Sequence, residues 1–416
     1  MKASVITLGC KVNEYESQSI LAQLKDAGYE IGEGYVVADV YVVNTCAVTN
    51  MAERKSRQVL AKLKKLNKDA KIVVCGCAVQ NNPKQFLIGD NVLALVGNSG
   101  KEKIMEFINK ENKTLPDLEH IRYRDTARPI ETRTRQFIKI QDGCNYFCTY
   151  CLIPYVRGRS RSRDLDDILD EIRHTNANEI VLTGINMSDY RIDGELALKT
   201  LVREVDKLGK RFRLSSLECN VLDDEFIDIL ANSDNFCPHF HLSLQSACND
   251  TLKRMNRRYT IEEFIVITDK IKEKIPNVFL STDIIVGFKG ETDEEFDTTK
   301  KNLERIGFNS MHIFPYSERS GTNACRLSGA IDPAKAKERL HILTEMKDES
   351  FKAYLNNNKD TEHNVLIEEY DGEHSLGYTE NYIYTYIKGE QKIGDIVNVK
   401  LTKPFKNGMR AEVKGE

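Results

Sequence analysis

The chain has 416 residues, 41% apolar and 30% charged, and a formal charge of −3. That balance excludes a disordered chain, and no run approaches the roughly 18–20 continuous apolar residues of a membrane span. Sixty Lys and Arg against 63 Asp and Glu leave no global field that would announce a nucleic-acid partner.

From the amino terminus, Val5–Leu8, Val40–Val43, Ile72–Val74 and Val92–Val96 read as buried strands. Helical spacing over Glu14–Ala27 and Asn50–Leu66 separates them. This alternation predicts an open parallel αβ sheet over 1–112. Across 113–130 charged residues crowd together, Pro116 and Pro129 punctuate, and apolar periodicity stops, which predicts a linker. Over 131–356 a second series follows, with apolar runs near 137–140, 179–183, 212–217, 239–244, 279–286 and 309–314. Helical patterns lie between the runs, so a partial (β/α)6 barrel is expected, with its chemistry at the carboxyl ends of the strands. Ala334–Leu355 reads as one long helix. Residues 357–416 then change to short alternating strands near 364–368, 375–379, 382–388 and 395–401, as in a small closed β-barrel.

Eleven cysteines is an odd number, and a chain this long has no need of disulfide staples. With no secretory leader evident in Met-Lys-Ala-Ser-Val-Ile-Thr-Leu-Gly-Cys10, reduced thiols in a cytoplasmic setting are expected. The sharpest group is Cys144-Asn-Tyr-Phe-Cys148-Thr-Tyr-Cys151, directly after the run Phe137–Ile140. Three thiolates on one short loop suit three irons of a 4Fe-4S cubane, with the fourth iron open to a substrate. Structural zinc is the alternative, but it wants a fourth ligand, and no Cys or His lies nearby in sequence.

This loop, with Tyr150 before its last Cys, resembles the signature of the radical S-adenosylmethionine (SAM) superfamily. The resemblance implies that SAM chelates the open iron and is cleaved to methionine and a 5′-deoxyadenosyl radical. It also gives meaning to four polar residues at predicted strand ends: Asn186 after Thr183-Gly184, Glu218 after Ser215-Ser216, Gln245, and Asp283. These are the expected SAM-binding side chains.

Cys10, Cys46 and Cys77 each follow a different strand of the first domain. The carboxyl ends of parallel strands converge on one crevice, so three thiols distant in sequence are expected to meet and hold a second cluster with an open iron. Cys75 competes with Cys77. Alternation along the strand turns Cys75 away, which favours Cys77. Cys219, Cys237, Cys248 and Cys325 fall in no pattern and are expected to pack.

Leu8-Gly-Cys10-Lys-Val-Asn13, Asn44-Thr-Cys46, Gly76-Cys77-Ala-Val-Gln80, Ile153-Pro-Tyr-Val-Arg157-Gly-Arg159-Ser-Arg161 and Phe314-Pro-Tyr316-Ser-Glu-Arg319 together resemble the methylthiotransferases, over nearly the whole chain. The segment around Gly377-Tyr378-Thr379 is similar to a TRAM domain, an RNA-binding barrel. Ala247 and Lys289 depart from the family pattern, where Gly and Pro are usual. The resemblance implies insertion of a methylthio group into an unactivated C–H bond, using two SAM, two 4Fe-4S clusters and an electron donor of flavodoxin or ferredoxin type.

Three substrates compete: N6-threonylcarbamoyladenosine in tRNA, N6-isopentenyladenosine in tRNA, and a ribosomal-protein aspartate. The Gln141–Cys151 stretch with Ile153–Gly158 most resembles the threonylcarbamoyladenosine type. A non-catalytic iron–sulfur RNA-binding protein is the wider alternative. For tRNA, two basic stretches are expected to meet phosphates. One holds Arg133, Arg135, Lys139, Arg157, Arg159, Arg161 and Arg163 against Asp142, and the other includes Lys400, Lys403, Lys406, Arg410 and Lys414. Arg157, Arg159, Arg161, Lys403 and Lys406 are the expected RNA contacts.

Overall fold

The computed structural model describes residues 1–87, 91–112, 115, 128–130 and 134–415. Most of the linker expected over 113–130 lies outside the described residues, as does Arg133.

The first domain is a parallel sheet in the order β2-β1-β3-β4-β5, from β1 (Lys2–Thr7), β2 (Glu30–Gly32), β3 (Val40–Thr45), β4 (Lys71–Gly76) and β5 (Val92–Val96). Every residue of β3 is buried, as a central strand covered on both faces must be. Helices α1 (Lys11–Asp26), α2 (Asn50–Leu66), α3 (Cys77–Asn81) and α4 (Ile104–Asn109) pack on it. Thr49 caps α2, its hydroxyl accepting from the Ala52 N–H. The short edge strand β2 has no alternating pattern and was not expected.

The second domain supplies six parallel strands: β6 (Arg135–Lys139), β7 (Glu179–Thr183), β8 (Arg211–Leu214), β9 (His239–Gln245), β10 (Phe279–Val286) and β11 (Ser310–Pro315). β6, β7 and β8 form one run of the wall and β9, β10 and β11 the other. Single bridges Phe212–Phe236 and Leu217–Leu242 join the two runs. Alternation sorts the side chains. Ile138, Ile180, Leu182, Phe212, Phe240 and Ile284 join the core under the outer helices. The alternate positions, among them Glu179, Arg213, His241 and Asp283, leave a polar lumen. Between these strands run the helices α5 (Ile153–Arg157), α6 (Leu165–His174), α7 (Leu198–Asp206), α8 (Asp224–Ala231), α9 (Asn249–Arg254), α10 (Ile261–Lys274) and α11 (Asp293–Ile306), the last two opening with capping boxes, Thr260 with Glu263 and Thr292 with Glu295.

Helix α1 runs along β6. Its Tyr15 hydroxyl donates 3.0 Å to Glu171 of α6 (Leu165–His174), so the first domain lies against the barrel edge. Helix α12 (Pro333–Asn357) leads to a closed barrel of β12 (Glu362–Tyr370), β13 (His374–Thr379), β14 (Tyr384–Lys388), β15 (Ile396–Phe405) and β16 (Gly408–Val413). β16 was not expected. Its buried Met409 and Ala411 alternate correctly, but the strand is short and carries Arg410 and Glu412. This barrel docks under the starts of β7 and β8. Arg211 donates to the Asn364 carbonyl (2.8 Å) and Arg213 to the Thr379 carbonyl (2.7 Å). Among the described residues no helix is long and apolar enough to cross a membrane.

Candidate iron–sulfur and S-adenosylmethionine site

Strand register brings the amino-terminal thiols together. Thr45 pairs with Gly76, so Cys46 and Cys77 leave neighbouring strands side by side. Cys10 starts from the next strand, where Thr7 pairs with Asn44. A Cβ placed on Gly9 would lie 3.0 Å from the Cys46 sulfur. Gly76 must be glycine: its φ is +97°, and a Cβ there would lie 2.6 Å from the Thr45 carbonyl. Burial pushes the Cys46 thiol up to about 12, with Cys77 and Cys10 adding to the shift. Cys75 is fully buried on the opposite face, in the core beneath α1 and α4.

The second trio sits on the loop after β6. Gly143 has φ +70°, and a Cβ would meet the Arg159 carbonyl at 2.1 Å, so the turn into Cys144 admits only glycine. Donors aim at each sulfur: the Tyr146 N–H at Cys144 (3.4 Å), Arg257 Nη1 at Cys148 (3.3 Å) and the Ile153 N–H at Cys151 (3.4 Å). Burial pushes Cys151 up to about 12, with Cys148 and Cys144 contributing. Cluster assembly therefore has to displace thiol protons. All eleven cysteines are free. Among the described residues no three Cys, His, Asp or Glu side chains converge as one metal ion would require. The donor set suits a cubane: soft thiols in threes, one trio on a single loop with a donor at each sulfur and the other at three neighbouring strand ends with Arg157 and Asn98 directed at Cys77.

Short helix α5 (Ile153–Arg157) connects the trios. Arg157 is 0% exposed. Its Nε donates to the Cys77 sulfur (3.3 Å), Nη1 to Glu16 (2.8 Å) and Asp142 (3.0 Å), and Nη2 to Asn13 (2.6 Å). Lys101 (2.5 Å) and Lys139 (2.7 Å) complete the cage around Glu16. Burial works to raise the Glu16 carboxyl, but Arg157, Lys101 and Lys139 outweigh it and hold it well below the usual range. Asp142, also buried, is lowered by Lys139, Arg157 and Arg161 in the same way.

The expectation that Arg157 meets RNA is therefore corrected: it has no exposed surface to offer a phosphate. Arg161 is mostly covered and paired with Asp142 at 2.9 Å. Lys139 and Arg163 are buried with acids, and Arg135 is paired with Glu368 at 2.6 Å. Beside Asp142, the acids that neutralise this stretch, Glu16, Glu171 and Glu368, lie outside it, so a local charge sum missed them. Arg159 is exposed, its guanidinium 4.6 Å from the Phe147 ring centroid. Lys403 and Lys406 are exposed on the terminal barrel.

The strand-end residues divide. The Asn186 backbone N–H donates to the Gln141 side-chain oxygen (2.8 Å), and its side-chain amide lies 3.9 Å from the Cys144 sulfur. Glu218 pairs with Arg257, which also donates to the Ser243 carbonyl (2.7 Å). Burial raises the Glu218 carboxyl while Arg257 opposes the shift. Gln245 holds φ +69° at the irregular end of β9, a conformation costly for a non-glycine residue. Asn186 and, through Arg257, Glu218 reach the Cys144 loop, while Gln245 ends the strand whose Ser243 carbonyl accepts from Arg257. Asp283 does neither: it lies within β10, not at its end, with its carboxylate 3.2 Å from His241 Nε2. Sequence reading missed Arg257, which touches both Cys148 and Glu218. Its only sign was the basic pair Arg257-Arg258 after α9 (Asn249–Arg254).

A six-stranded partial barrel with this three-thiol loop defines a radical SAM enzyme, and the Radical SAM superfamily model matches residues 138–303. Models for Uncharacterized protein family UPF0004 and the TRAM domain match residues 2–97 and 361–414. The radical SAM methyltransferase TsrM from Kitasatospora setae shares the fold, with a TM-score of 0.56 and 15% identity over 76% of this chain and 72% of that one. The chain belongs to the radical SAM methylthiotransferase family. It is 38% identical to the threonylcarbamoyladenosine tRNA methylthiotransferase MtaB of Bacillus subtilis, over 98% of this chain and 96% of that protein. Identity to the MtaB of Aquifex aeolicus is 37%, over 96% of this chain and all of that one. To the tRNA-2-methylthio-N(6)-dimethylallyladenosine synthase of Alkaliphilus oremlandii it is 34%, over 99% and 92%.

Proposed function

We propose that this chain inserts a methylthio group at carbon 2 of N6-threonylcarbamoyladenosine in tRNA. An iron–sulfur cluster and SAM accompany membership of the radical SAM superfamily. In our reading there are two 4Fe-4S clusters, on Cys10, Cys46 and Cys77 and on Cys144, Cys148 and Cys151. When bound, they supply respectively the sulfur to be transferred and the electron that splits SAM. A radical is needed because an aromatic C–H has no acidity that a side-chain base could use. Asn186, Glu218 and Gln245 orient SAM beside the Cys144 loop, and Arg257 holds Glu218 in place. Arg157 fixes the two trios relative to each other. The exposed Arg159, Lys403 and Lys406 meet the tRNA backbone, and a flavodoxin- or ferredoxin-type protein in the cytoplasm supplies electrons.

The observation that carries this reading is the amino-terminal thiol trio, whose Cys77 sulfur accepts from Arg157 on the helix that follows the Cys144 loop. A protein needing only a radical has no use for it. The choice of nucleoside is supported by full-length likeness to MtaB proteins. The test is mass spectrometry of tRNA nucleosides from cells with and without the gene. Loss of the 2-methylthio form of threonylcarbamoyladenosine alone is expected. Loss of the isopentenyladenosine form instead would reassign the substrate. Iron-loaded protein with dithionite and SAM should release 5′-deoxyadenosine; none released would remove the radical reading.

A further inference from the structure

Between the first domain, the barrel lumen and the terminal barrel lies a cavity of about 700 Å³. That is ample for a modified nucleoside, since small-ligand sites run from about 300 to 1,000 Å³. Phe137 and Tyr382 are among its lining residues, and Tyr382 is already stacked between His239 (4.1 Å) and Tyr378 (4.8 Å), so the cavity offers an apolar wall that is held rigid. Lys11, Arg135 and Arg213 bring positive charge.

The three cations are not equivalent. Arg213 is held by Glu179 (2.8 Å) and by carbonyls of the terminal barrel. Arg135 pairs with Glu368 through Nε (2.6 Å) and lies 5.0 Å from the Tyr378 ring centroid. The Lys11 ammonium makes no hydrogen bond or ion pair with a described residue, and its side chain is exposed. Asp283 is the acid across the lumen, and His241 already holds it. Lys11 also gains nothing from its own helix, because a cation in the first turn of α1 meets the positive end of the dipole.

Position gives the charge a use. Lys11 follows Cys10 directly, so their Cα atoms are about 3.8 Å apart. A nucleoside presented to the amino-terminal thiol trio therefore brings its substituent within reach of Lys11. We propose that Lys11, with Arg135 behind it, binds the carboxylate of the threonylcarbamoyl group and so selects an anionic N6 substituent over an apolar one. This rests on the nucleoside assigned above and adds the residues that read it.

The experiment measures equilibrium binding of the full-length, iron-loaded protein to three anticodon stem-loops. They carry threonylcarbamoyladenosine, its methyl ester, or isopentenyladenosine. A charge-assisted hydrogen bond predicts that wild type binds the acid about 10- to 100-fold tighter than the ester. Lys11→Met should equalise acid and ester, and Lys11→Arg should keep the preference. Iron content is counted alongside. If Lys11→Met loses iron, Arg135→Gln provides the second arm, with a partial loss of acid-over-ester preference expected. Equal wild-type binding of acid and ester, or a preference untouched by both variants, overturns the proposal. Failure of the nucleoside assignment looks different: turnover with SAM would methylthiolate the isopentenyl stem-loop and not the acid.

Discussion

Replacing Arg157 with Met removes a fully buried guanidinium and leaves Glu16, Asp142, Asn13 and the Cys77 sulfur without its donors. Breaking a buried ion pair from one side costs about 3–5 kcal/mol, because the remaining charge stays buried. Lys101 and Lys139 still touch Glu16, and Lys139 and Arg161 still touch Asp142, which places the loss near the lower end. In a cooperative unit of roughly 150–250 residues each kcal/mol moves Tm by about 2–4 °C, so a drop of roughly 6–12 °C is expected. The chain has no tryptophan, so melting of iron-free protein is followed by far-ultraviolet circular dichroism. The sign of the pH dependence follows from the carboxyls. Glu16 and Asp142 are held below their ordinary values, so their stabilisation is present above about pH 4, where the unfolded groups ionise, and is lost as acid protonates them in the fold. Arg157→Met should therefore melt more like wild type as pH falls below about 4. A variant within about 1 °C of wild type at neutral pH would refute the reasoning, since it would mean that these contacts contribute nothing net.

Cys77→Ala should lose the amino-terminal iron while Cys75→Ala keeps it, by iron counting after anaerobic loading; wild type should carry about eight irons in two cubanes. Gly143→Ala should prevent loading at the Cys144 loop and leave the first site filled, because its Cβ would collide with the Arg159 carbonyl at 2.1 Å. Full loading of both sites would show that the turn relaxes. Affinity for tRNA should fall with salt, and Lys403→Ala with Lys406→Ala should together flatten the log–log slope by roughly 1.4–1.8, at about 0.7–0.9 per phosphate. An unchanged slope would take the terminal barrel off the RNA path.

Parts of the molecule that follow from local periodicity were legible in the chain. Val92–Val96 and Asn50–Leu66 occupy the residues expected of them, and all six barrel strands lie where apolar runs placed them. The thiol trios were also legible, since adjacency of parallel strands turns three distant cysteines into neighbours. Pairing between distant residues was not. The basic run ending at Arg163 looked like an exposed face because Glu16 and Glu368, which help neutralise it, lie far away in sequence, and Glu171 sits beyond its end on the next helix. Arg257 was hidden for the same reason: its role comes from reaching across the barrel mouth to Cys148 and Glu218. Asp283 was misplaced because an apolar run does not reveal where along a strand the lumen ends.

The cage around Glu16 also bears on whether the first domain can live alone. Of the three cations that touch this carboxylate, only Lys101 belongs to the same half of the chain; Lys139 and Arg157 come from the barrel. Severing the halves would strand an acid in one fragment and a surplus of bases in the other, each in a surface built to be covered. Two pieces expressed separately would thus have strong reason to find one another again, and the amino-terminal domain is better regarded as an organ of the whole than as a portable module.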